Sequence, residues 1–325
     1  MNHRERVIRA IGFKKPDRTP VWMFNRDVEL GDVMTYDFRL SEGSVDGGYH
    51  GGNLSEWGYR WERLDDGTMG QPANPVIPDW DDYANYRFPK IQAERRLAGL
   101  PEYLRQSEGY YRLPLLIITG FTTYTFLRGF ENAMMDFALE DEKACELLDR
   151  IFAFEKKLVT LAAKSGFDGF HFGDDWGTQE GLIISPRLWR EIFKPRYRDL
   201  FAHCRQAGLH VWFHSCGNLF DILADFHEIG VDVMNISQPN VVDLAVVSRS
   251  FRGRQCFMVP VSYQTTGVSS TPADIVAETK RLREWFETES GGFIGYVEEY
   301  SCMGMSEANY RAHVKALGLS TEPHG

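Results

Sequence analysis

Short apolar runs alternate along the chain with longer segments of helical periodicity. The apolar runs predict buried strands, and they fall at residues 18–24, 113–119, 166–172, 209–216, 231–237, 255–261 and 292–297. The segments between them carry apolar residues three and four positions apart, as amphipathic helices do. Strands that are apolar on both faces and separated by helices indicate a parallel sheet covered by helices.

Helix boundaries are marked by residues with specific roles in the backbone. Ser185 and Pro186 suit an N-cap and the first turn of a helix that we expect to run to about residue 207, where Gly208 ends it. Thr271 and Ser306 open two later helices in the same way. These boundaries leave only short connections, which favours a regular succession of strand and helix.

Residues 25–110 do not follow this pattern. They are rich in Gly, Asp, Trp and Tyr and contain no long periodic run. Such a long excursion is typical of an ordered insertion over a site. We expect it to follow the first strand, and it has room to contain an eighth strand.

The predicted fold is therefore α/β, a (β/α)8 TIM barrel with a long insertion after the first strand, formed by one domain over residues 1–325. A doubly wound open sheet is the alternative. No Gly-x-Gly-x-x-Gly follows the first strand, so the dinucleotide-binding form of that fold is disfavoured.

Charge and composition narrow the range of partners. The net charge of −10 disfavours binding to nucleic-acid phosphates, and no apolar stretch reaches the roughly 18 residues of a membrane span. The first residues lack an apolar signal core. The five cysteines are scattered and odd in number, which predicts reduced thiols and a cytoplasmic location.

The strand at 209–216 ends on a His-x-Cys pair. Residues i and i+2 of a strand point the same way, so His214 and Cys216 share a face about 7 Å apart along the chain. An imidazole and a thiolate at that distance can bind one soft or borderline cation. The alternative is a strand end with a hydrogen-bonded histidine and an inert buried cysteine.

Polar residues also follow other strands, where a barrel has its active site. They are Asp174, Asp175, His214, Cys216, Ser237, Gln238, Glu298, Glu299 and Cys302. Among them His214, Cys216 and Cys302 predict a zinc site with three protein ligands and an open fourth position, as in catalytic zinc sites. Cys302 can otherwise be read as a small residue in a Gly-rich loop.

Several segments together resemble the uroporphyrinogen decarboxylase superfamily. They are Arg4–Ala10 with Asp17–Trp22, Gly173–Gln179, Ser185-Pro186 through Lys194-Pro195, Phe213–Gly217 and Gly230–Gln238. The resemblance covers nearly the whole chain and implies the (β/α)8 fold, without specifying one reaction.

Two branches of that superfamily differ at recognisable positions. True uroporphyrinogen decarboxylases follow the first strand with Met-Arg-Gln-Ala-Gly-Arg, whereas this chain has Met23-Phe-Asn-Arg-Asp27. Their Phe-Ser-Asp and Asn-Leu-Gly-His-Gly segments are also missing, and near the first strand only Arg26 remains to bind substrate carboxylates. His214, Cys216 and Cys302 match the zinc ligands of the corrinoid-linked methyltransferases.

The resemblance implies roles for further residues. Asp174 and Asp175 are expected catalytic residues, although a hydrogen-bonded loop would also contain them. Expected substrate contacts are Trp22, Asn25, Gln179 and Gln238, and candidates for a fourth zinc ligand are Glu298 and Glu299.

The function that follows is a zinc-dependent methyltransferase acting between a small molecule, such as a thiol or a methoxy or methylamine donor, and a corrinoid protein. Asp225-Phe-His227-Glu-Ile-Gly230 matches a cobalamin-binding signature, but it lies at a helix end, so we expect the corrinoid on a partner protein. The alternatives are a metal-free lyase acting on a porphyrinogen or another carboxylate, and a ligand-binding barrel without turnover.

Overall fold

Eight parallel strands form a nearly closed barrel in the computed structural model, which describes residues 1–42, 54–62, 70–298 and 303–320. In chain order the strands are β1 (Val21–Phe24), β2 (Val33–Asp37), β3 (Tyr111–Leu116), β4 (Gly169–Gly173), β5 (His210–Ser215), β6 (Val233–Ile236), β7 (Cys256–Val259) and β8 (Phe293–Glu298). Each strand from β3 to β8 pairs in parallel with the next, β8 pairs with β1, and β3 pairs with β2. The predicted (β/α)8 barrel is confirmed.

The barrel closes between β1 and β2 through one side chain. Asp32 N donates to Val21 O at 2.7 Å, and Val21 N donates to the Asp32 carboxylate at 2.8 Å. The carboxylate is fully buried and also receives hydrogen bonds from His3, Arg6 and Arg18. Asp32 thus joins two strands that share no ladder of their own.

The eighth strand lies inside the segment predicted as an insertion. Strand β2 has a buried first residue followed by three half-buried ones, so no continuous apolar run in the sequence predicts it. A short 3-10 turn at Val28–Leu30 connects it to β1, and most of the excursion therefore follows β2. Two small antiparallel pairs lie in the excursion, Ser41–Glu42 with Leu54–Ser55 and Trp61–Glu62 with Gln71–Pro72.

Aromatic residues of the excursion pack against the outer helices. The Trp57 ring lies 5.1 Å from that of Phe154, and the Tyr59 ring lies 5.2 Å from that of Phe126. Packing, the commoner use of an aromatic side chain, therefore accounts for these rings.

The helices surround the barrel in chain order. They are α1 (His3–Ile11), α2 (Trp80–Tyr83), α3 (Ala93–Arg96), α4 (Leu100–Gln106), α5 (Gly120–Arg128), α6 (Phe130–Ala138), α7 (Glu142–Ala163), α8 (Pro186–Leu188), α9 (Lys194–Gln206), α10 (Phe220–Glu228), α11 (Leu244–Phe251), α12 (Thr266–Ser269), α13 (Pro272–Phe286) and α14 (Glu307–Ala316). None of the described helices combines the length and apolarity that crossing a bilayer requires.

The predicted helix caps are present. The side chains of Ser185, Thr271 and Ser306 each accept a hydrogen bond from a backbone N–H of the first turn. The helical segment between β3 and β4 begins at α5, and Gly129, with φ of +80°, separates α5 from α6. A π-helical turn, Trp189–Phe193, joins α8 to α9.

Candidate metal centre

The loops that follow β4 and β5 meet backbone to backbone at the C-terminal end of the barrel. Gly177 N donates to Cys216 O at 3.2 Å, and Asn218 N donates to Thr178 O at 2.8 Å. A Cβ atom on Gly217 would lie 2.0 Å from the Gly177 carbonyl carbon, and Gly217 has φ of +75°. Only glycine fits this contact, which brings the two loops together.

Three potential ligands converge where these loops meet. Ligand atoms of Asp175, His214 and Cys216 all lie within 4.8 Å of one another. His214 Nε2 is 3.7 Å from both the Cys216 Sγ and the Asp175 Oδ1. The same Asp175 oxygen accepts a hydrogen bond from Cys216 N at 2.8 Å, which fixes the carboxylate beside the other two groups.

The imidazole of His214 is oriented by the neighbouring strand. Asn235 lies directly opposite it on β6, and its Nδ2 donates to Met258 O on β7 at 2.8 Å. The Asn235 Oδ1 is therefore free to accept from His214 Nδ1, 2.6 Å away. This assignment places the imidazole proton on Nδ1 and leaves the Nε2 lone pair for a ligand or a metal.

The electrostatics of Cys216 suit a cation. Burial and the nearby Asp175 carboxylate raise the pKa of the Cys216 thiol well above its usual range, while Ser237 and Tyr263 donate hydrogen bonds that oppose the shift. One nitrogen, one sulfur and one carboxylate oxygen are ligands that Zn²⁺ accepts. The donor set therefore fits zinc.

The two adjacent aspartates have different environments. Asp175 is half exposed, whereas Asp174 is buried beneath the first turn of α5. The carboxylate of Asp174 accepts from Phe121 N and Thr122 N, each at 2.8 Å, and from the hydroxyls of Thr122 and Tyr197. Burial raises the pKa of Asp174 to about 7 despite these hydrogen bonds. Asp174 thus holds a helix N-terminus.

A second carboxylate shares that helix N-terminus. Glu155 Oε1 accepts from Gly120 N at 2.8 Å, whereas its Oε2 is buried and has no hydrogen-bond partner in the described part of the chain. Burial, with a smaller contribution from Asp174, raises the pKa of Glu155 to about 8. Glu155 is therefore protonated at neutral pH.

A narrow cavity of about 20 Å³ lies inside the barrel beside His214, with room for a single water-sized group. It is lined by Trp22, Phe24, Leu115, Ile117, His171, His214, Asn235 and Tyr296. Trp22 Nε1 and His171 Nδ1 are buried without a hydrogen-bond partner among the described residues, which costs about 1–3 kcal/mol for each group. Burial and His214 lower the pKa of His171 to about 3, so its ring is neutral.

The other predicted site residues lie at different distances from the cluster. Gln238 Oε1 accepts from Gly217 N at 2.8 Å and so supports the ligand loop. Trp22 lines the cavity, and Glu298 accepts from Tyr296 OH at 2.8 Å at the cavity edge. Gln179 is exposed on the rim.

Two predicted ligands cannot be placed. Glu299 and Cys302 lie outside the described residues, and Glu298 is not part of the cluster that Asp175 forms with His214 and Cys216. Asp175, expected as a catalytic residue, lies at ligand distance from the histidine and the cysteine.

The end of β1 carries an unusual backbone. Asn25 and Asp27 both have positive φ, 67° and 49°. Tyr310 OH donates to Asp27 at 2.9 Å, and Arg26 pairs with Glu307 and lies 4.1 Å from the centre of the Tyr310 ring. Helix α14 therefore holds this loop, and Arg26 already has an anionic partner.

Sequence reasoning did not single out Asn235, His171 or Tyr263. Asn235 and His171 each stand in a strand among apolar residues, which is the available signal, because a polar residue inside a barrel strand needs a partner. Tyr263 follows β7 in a loop without any distinguishing pattern.

The cobalamin-like hexamer lies away from this site. His227 Nδ1 is hydrogen-bonded to Gln255 Oε1 at 2.9 Å, and Asp225 pairs with Arg190 and Lys194. These contacts satisfy the polar groups of the hexamer within the protein.

Comparison with known proteins agrees with this architecture. The sequence model of the uroporphyrinogen decarboxylase (URO-D) family matches residues 63–316. A methyltransferase from Methanosarcina mazei has a similar structure, with a TM-score of 0.73, 13% sequence identity and coverage of 98% of each chain. An endo-β-1,4-xylanase from Gloeophyllum trabeum has a TM-score of 0.43 and 10% identity over 74% of this chain and 83% of its own, too low to support an argument. No curated protein sequence matches.

Proposed function

Because this chain belongs to the uroporphyrinogen decarboxylase family, we propose that it is a zinc-dependent methyltransferase of that family. It would transfer a methyl group between a small molecule and a corrinoid protein. The observation that carries the proposal is the cluster of Asp175, His214 and Cys216 at the C-terminal end of the barrel.

The fold and the donor chemistry support this proposal together. The structure shares its fold with a protein described as a methyltransferase, although 13% identity does not transfer the activity. The cluster lies where (β/α)8 barrels have their active sites, and His214 presents an unprotonated Nε2 to it. Nitrogen and sulfur donors beside a carboxylate favour a borderline metal over Mg²⁺ or Ca²⁺.

In the proposed enzyme His214, Cys216 and Asp175 would hold the metal, and Cys302 is the further ligand that the sequence predicts. Zinc bound there would lower the pKa of a substrate thiol or polarise the oxygen of a methyl ether. In demethylation, the bond between the methyl carbon and the substrate heteroatom would break, and the heteroatom would keep the electron pair and take up a proton. The methyl carbon would form its new bond with an electron pair supplied by the reduced corrinoid of the partner protein.

Neighbouring residues orient the proposed metal ligands. Asn235 holds the proton of His214 on Nδ1, and Gln238 fixes the backbone beside Cys216. Asp174 is a positioning residue, because its carboxylate holds the N-terminus of α5 and its chain neighbour is Asp175.

The second candidate function is a metal-free lyase, which the name of the matching family, uroporphyrinogen decarboxylase, favours. Uroporphyrinogen decarboxylation needs cations for several substrate carboxylates, but Arg26 is paired with Glu307 and packed on Tyr310. Conversion of uroporphyrinogen to coproporphyrinogen by the purified protein would establish this candidate.

The first test is metal analysis of the purified full-length protein. We expect about one zinc per chain, lost in His214→Ala and in Cys302→Ser. Cys145→Ser is the matched control, since Cys145 is a free, half-buried cysteine on α7, outside the cluster. Methylation of free cob(I)alamin by candidate donors, followed by absorbance, then tests the reaction.

Some results would reject the proposal. A zinc-free protein whose activity and stability survive both ligand substitutions has no metal centre here. Zinc that persists in His214→Ala and is lost in Cys145→Ser would place the metal elsewhere.

A further inference from the structure

The cavity beside His214 contains two buried nitrogen atoms that the mechanism above does not use. Trp22 is 2% exposed and His171 is 5% exposed, and both line the cavity. Their rings meet edge to face with centroids 5.7 Å apart. Within the described protein, neither Trp22 Nε1 nor His171 Nδ1 has a hydrogen-bond partner.

We propose that Trp22 and His171 form a subsite that binds one neutral, terminal oxygen acceptor of the substrate, such as a hydroxyl or carbonyl oxygen. The inference rests on the proposed function, because it assigns the substrate class of the same site. It makes the small molecule an oxygen compound whose reacting end enters the barrel.

The preference for an acceptor follows from the chemistry of the two rings. The indole Nε1–H of Trp22 is a donor only. The neutral imidazole of His171 has one donor and one acceptor nitrogen, so it can donate to the same atom or accept from a hydroxyl. An oxygen with lone pairs satisfies both rings, whereas a thioether sulfur accepts only weakly.

The preference for a neutral group follows from the charges around the cavity. No Lys or Arg lines it among the described residues, so a carboxylate or sulfonate would enter without a counter-charge. Glu298 lies at the edge, where its carboxylate accepts from Tyr296 OH, and it would repel an anion.

The size of the cavity limits what enters. A volume of about 20 Å³ admits one oxygen-sized group, and the rest of the molecule must remain above it, towards the loops. His214 lines the same cavity, so the bound oxygen would lie next to the proposed metal centre.

The test compares two probes of similar shape and different charge. At pH 7, 2-methoxyphenol is neutral and 2-methoxybenzoate is an anion. Calorimetric titration of the full-length protein, as purified and after removal of metal, should show tighter binding of 2-methoxyphenol by about tenfold or more. Trp22→Phe keeps an aromatic ring without the N–H and should weaken that binding by about tenfold.

Trp189→Phe is the matched control. Trp189 Nε1 is also buried without a partner, but Trp189 does not line the cavity, so its loss should leave probe binding unchanged. His171→Phe is a second variant at the subsite, and it keeps the test decisive if Trp22→Phe does not fold.

Equal or tighter binding of 2-methoxybenzoate would overturn the subsite, as would binding of neither probe. Unchanged affinity in Trp22→Phe and His171→Phe would mean that the two nitrogens serve a buried water, and it would also overturn the subsite. Methyl transfer that persists with unchanged KM in these variants leaves the proposed function standing without the subsite. Probe binding that depends on Trp22 in a protein without zinc or methyl transfer leaves the subsite standing without the proposed function.

Discussion

At the N-terminal end of the barrel Asp32 is fully buried, and its carboxylate is hydrogen-bonded by His3, Arg6, Arg18 and Val21 N. Further towards the C-terminal end the barrel interior is different, because among the described residues Trp22 and His171 bury nitrogens without partners and Cys216 lies beside a carboxylate. Both ends place polar groups inside the same barrel. One end satisfies them within the chain and stabilises the fold, whereas the other leaves them for a ligand.

The largest effect is expected from Asp32→Ala, which tests whether the N-terminal end of the barrel stabilises the fold. Removing the carboxylate leaves Arg6 and Val21 N at the barrel closure without their partner, so we expect a loss of about 3–5 kcal/mol in the free energy of unfolding. Urea unfolding measures it. Asp17→Ala is the control, since Asp17 also pairs with Arg6 but is 40% exposed, and it should cost about 1 kcal/mol or less. Equal losses in both variants would contradict a special role for Asp32.

The contact between the two loops can be broken with Gly217→Ala. The added Cβ would meet the Gly177 backbone at 2.0 Å in a left-handed conformation, so Cys216 must move. We expect zinc affinity to fall by about 100-fold, equivalent to roughly 2.8 kcal/mol, measured by chelator competition. Gly181→Ala in the neighbouring loop is the control, because a Cβ there meets nothing within 4 Å. Unchanged affinity in Gly217→Ala would show that the loop contact does not position the ligands.

Asn235→Leu tests whether the orientation of His214 matters. The variant keeps the approximate shape of the side chain but removes the acceptor for His214 Nδ1, so zinc affinity should fall by about 10- to 100-fold. The same competition assay measures the change, with urea unfolding of the metal-free protein to separate lost affinity from lost stability. Retained affinity would mean that the metal alone orients the imidazole.

The effect expected from Glu155→Gln differs from the others because it depends on pH. The folded protein keeps Glu155 protonated up to about pH 8, whereas the unfolded chain releases that proton above about pH 4.3. The native state therefore binds more protons in this window, and its stability falls as pH rises from about 4 to 8. The glutamine variant lacks this loss and should be more stable than the wild type by roughly 4 kcal/mol at pH 8.

The two proteins should converge in stability towards pH 4. Glu146→Gln on the same helix is the control, because Glu146 is exposed and should not change the slope. A parallel pH dependence of Glu155→Gln and the wild type would show that Glu155 does not carry the extra proton.

The strands and helix caps were largely predictable because they depend on neighbouring residues. Apolar runs located β1 and β3 to β8, and Ser185 and Thr271 marked helix starts with their own side chains. The position of strand β2 was not predicted, because its residues are mostly half-buried and form no apolar run. Helix α5 and its end at Gly129 were not predicted, because the periodicity alone does not show that Gly129 adopts a positive φ.

The sequence by itself determined that His214 and Cys216 lie on the same face of β5, because side chains two residues apart in a strand point the same way. Only the tertiary structure decided which other groups join them. Asp174 and Asp175 are neighbours in the chain, yet one anchors α5 and the other lies beside His214. That division depends on the close contact of Gly177 with Gly217 and on the register of β4 against β5, and both arise between segments far apart in sequence.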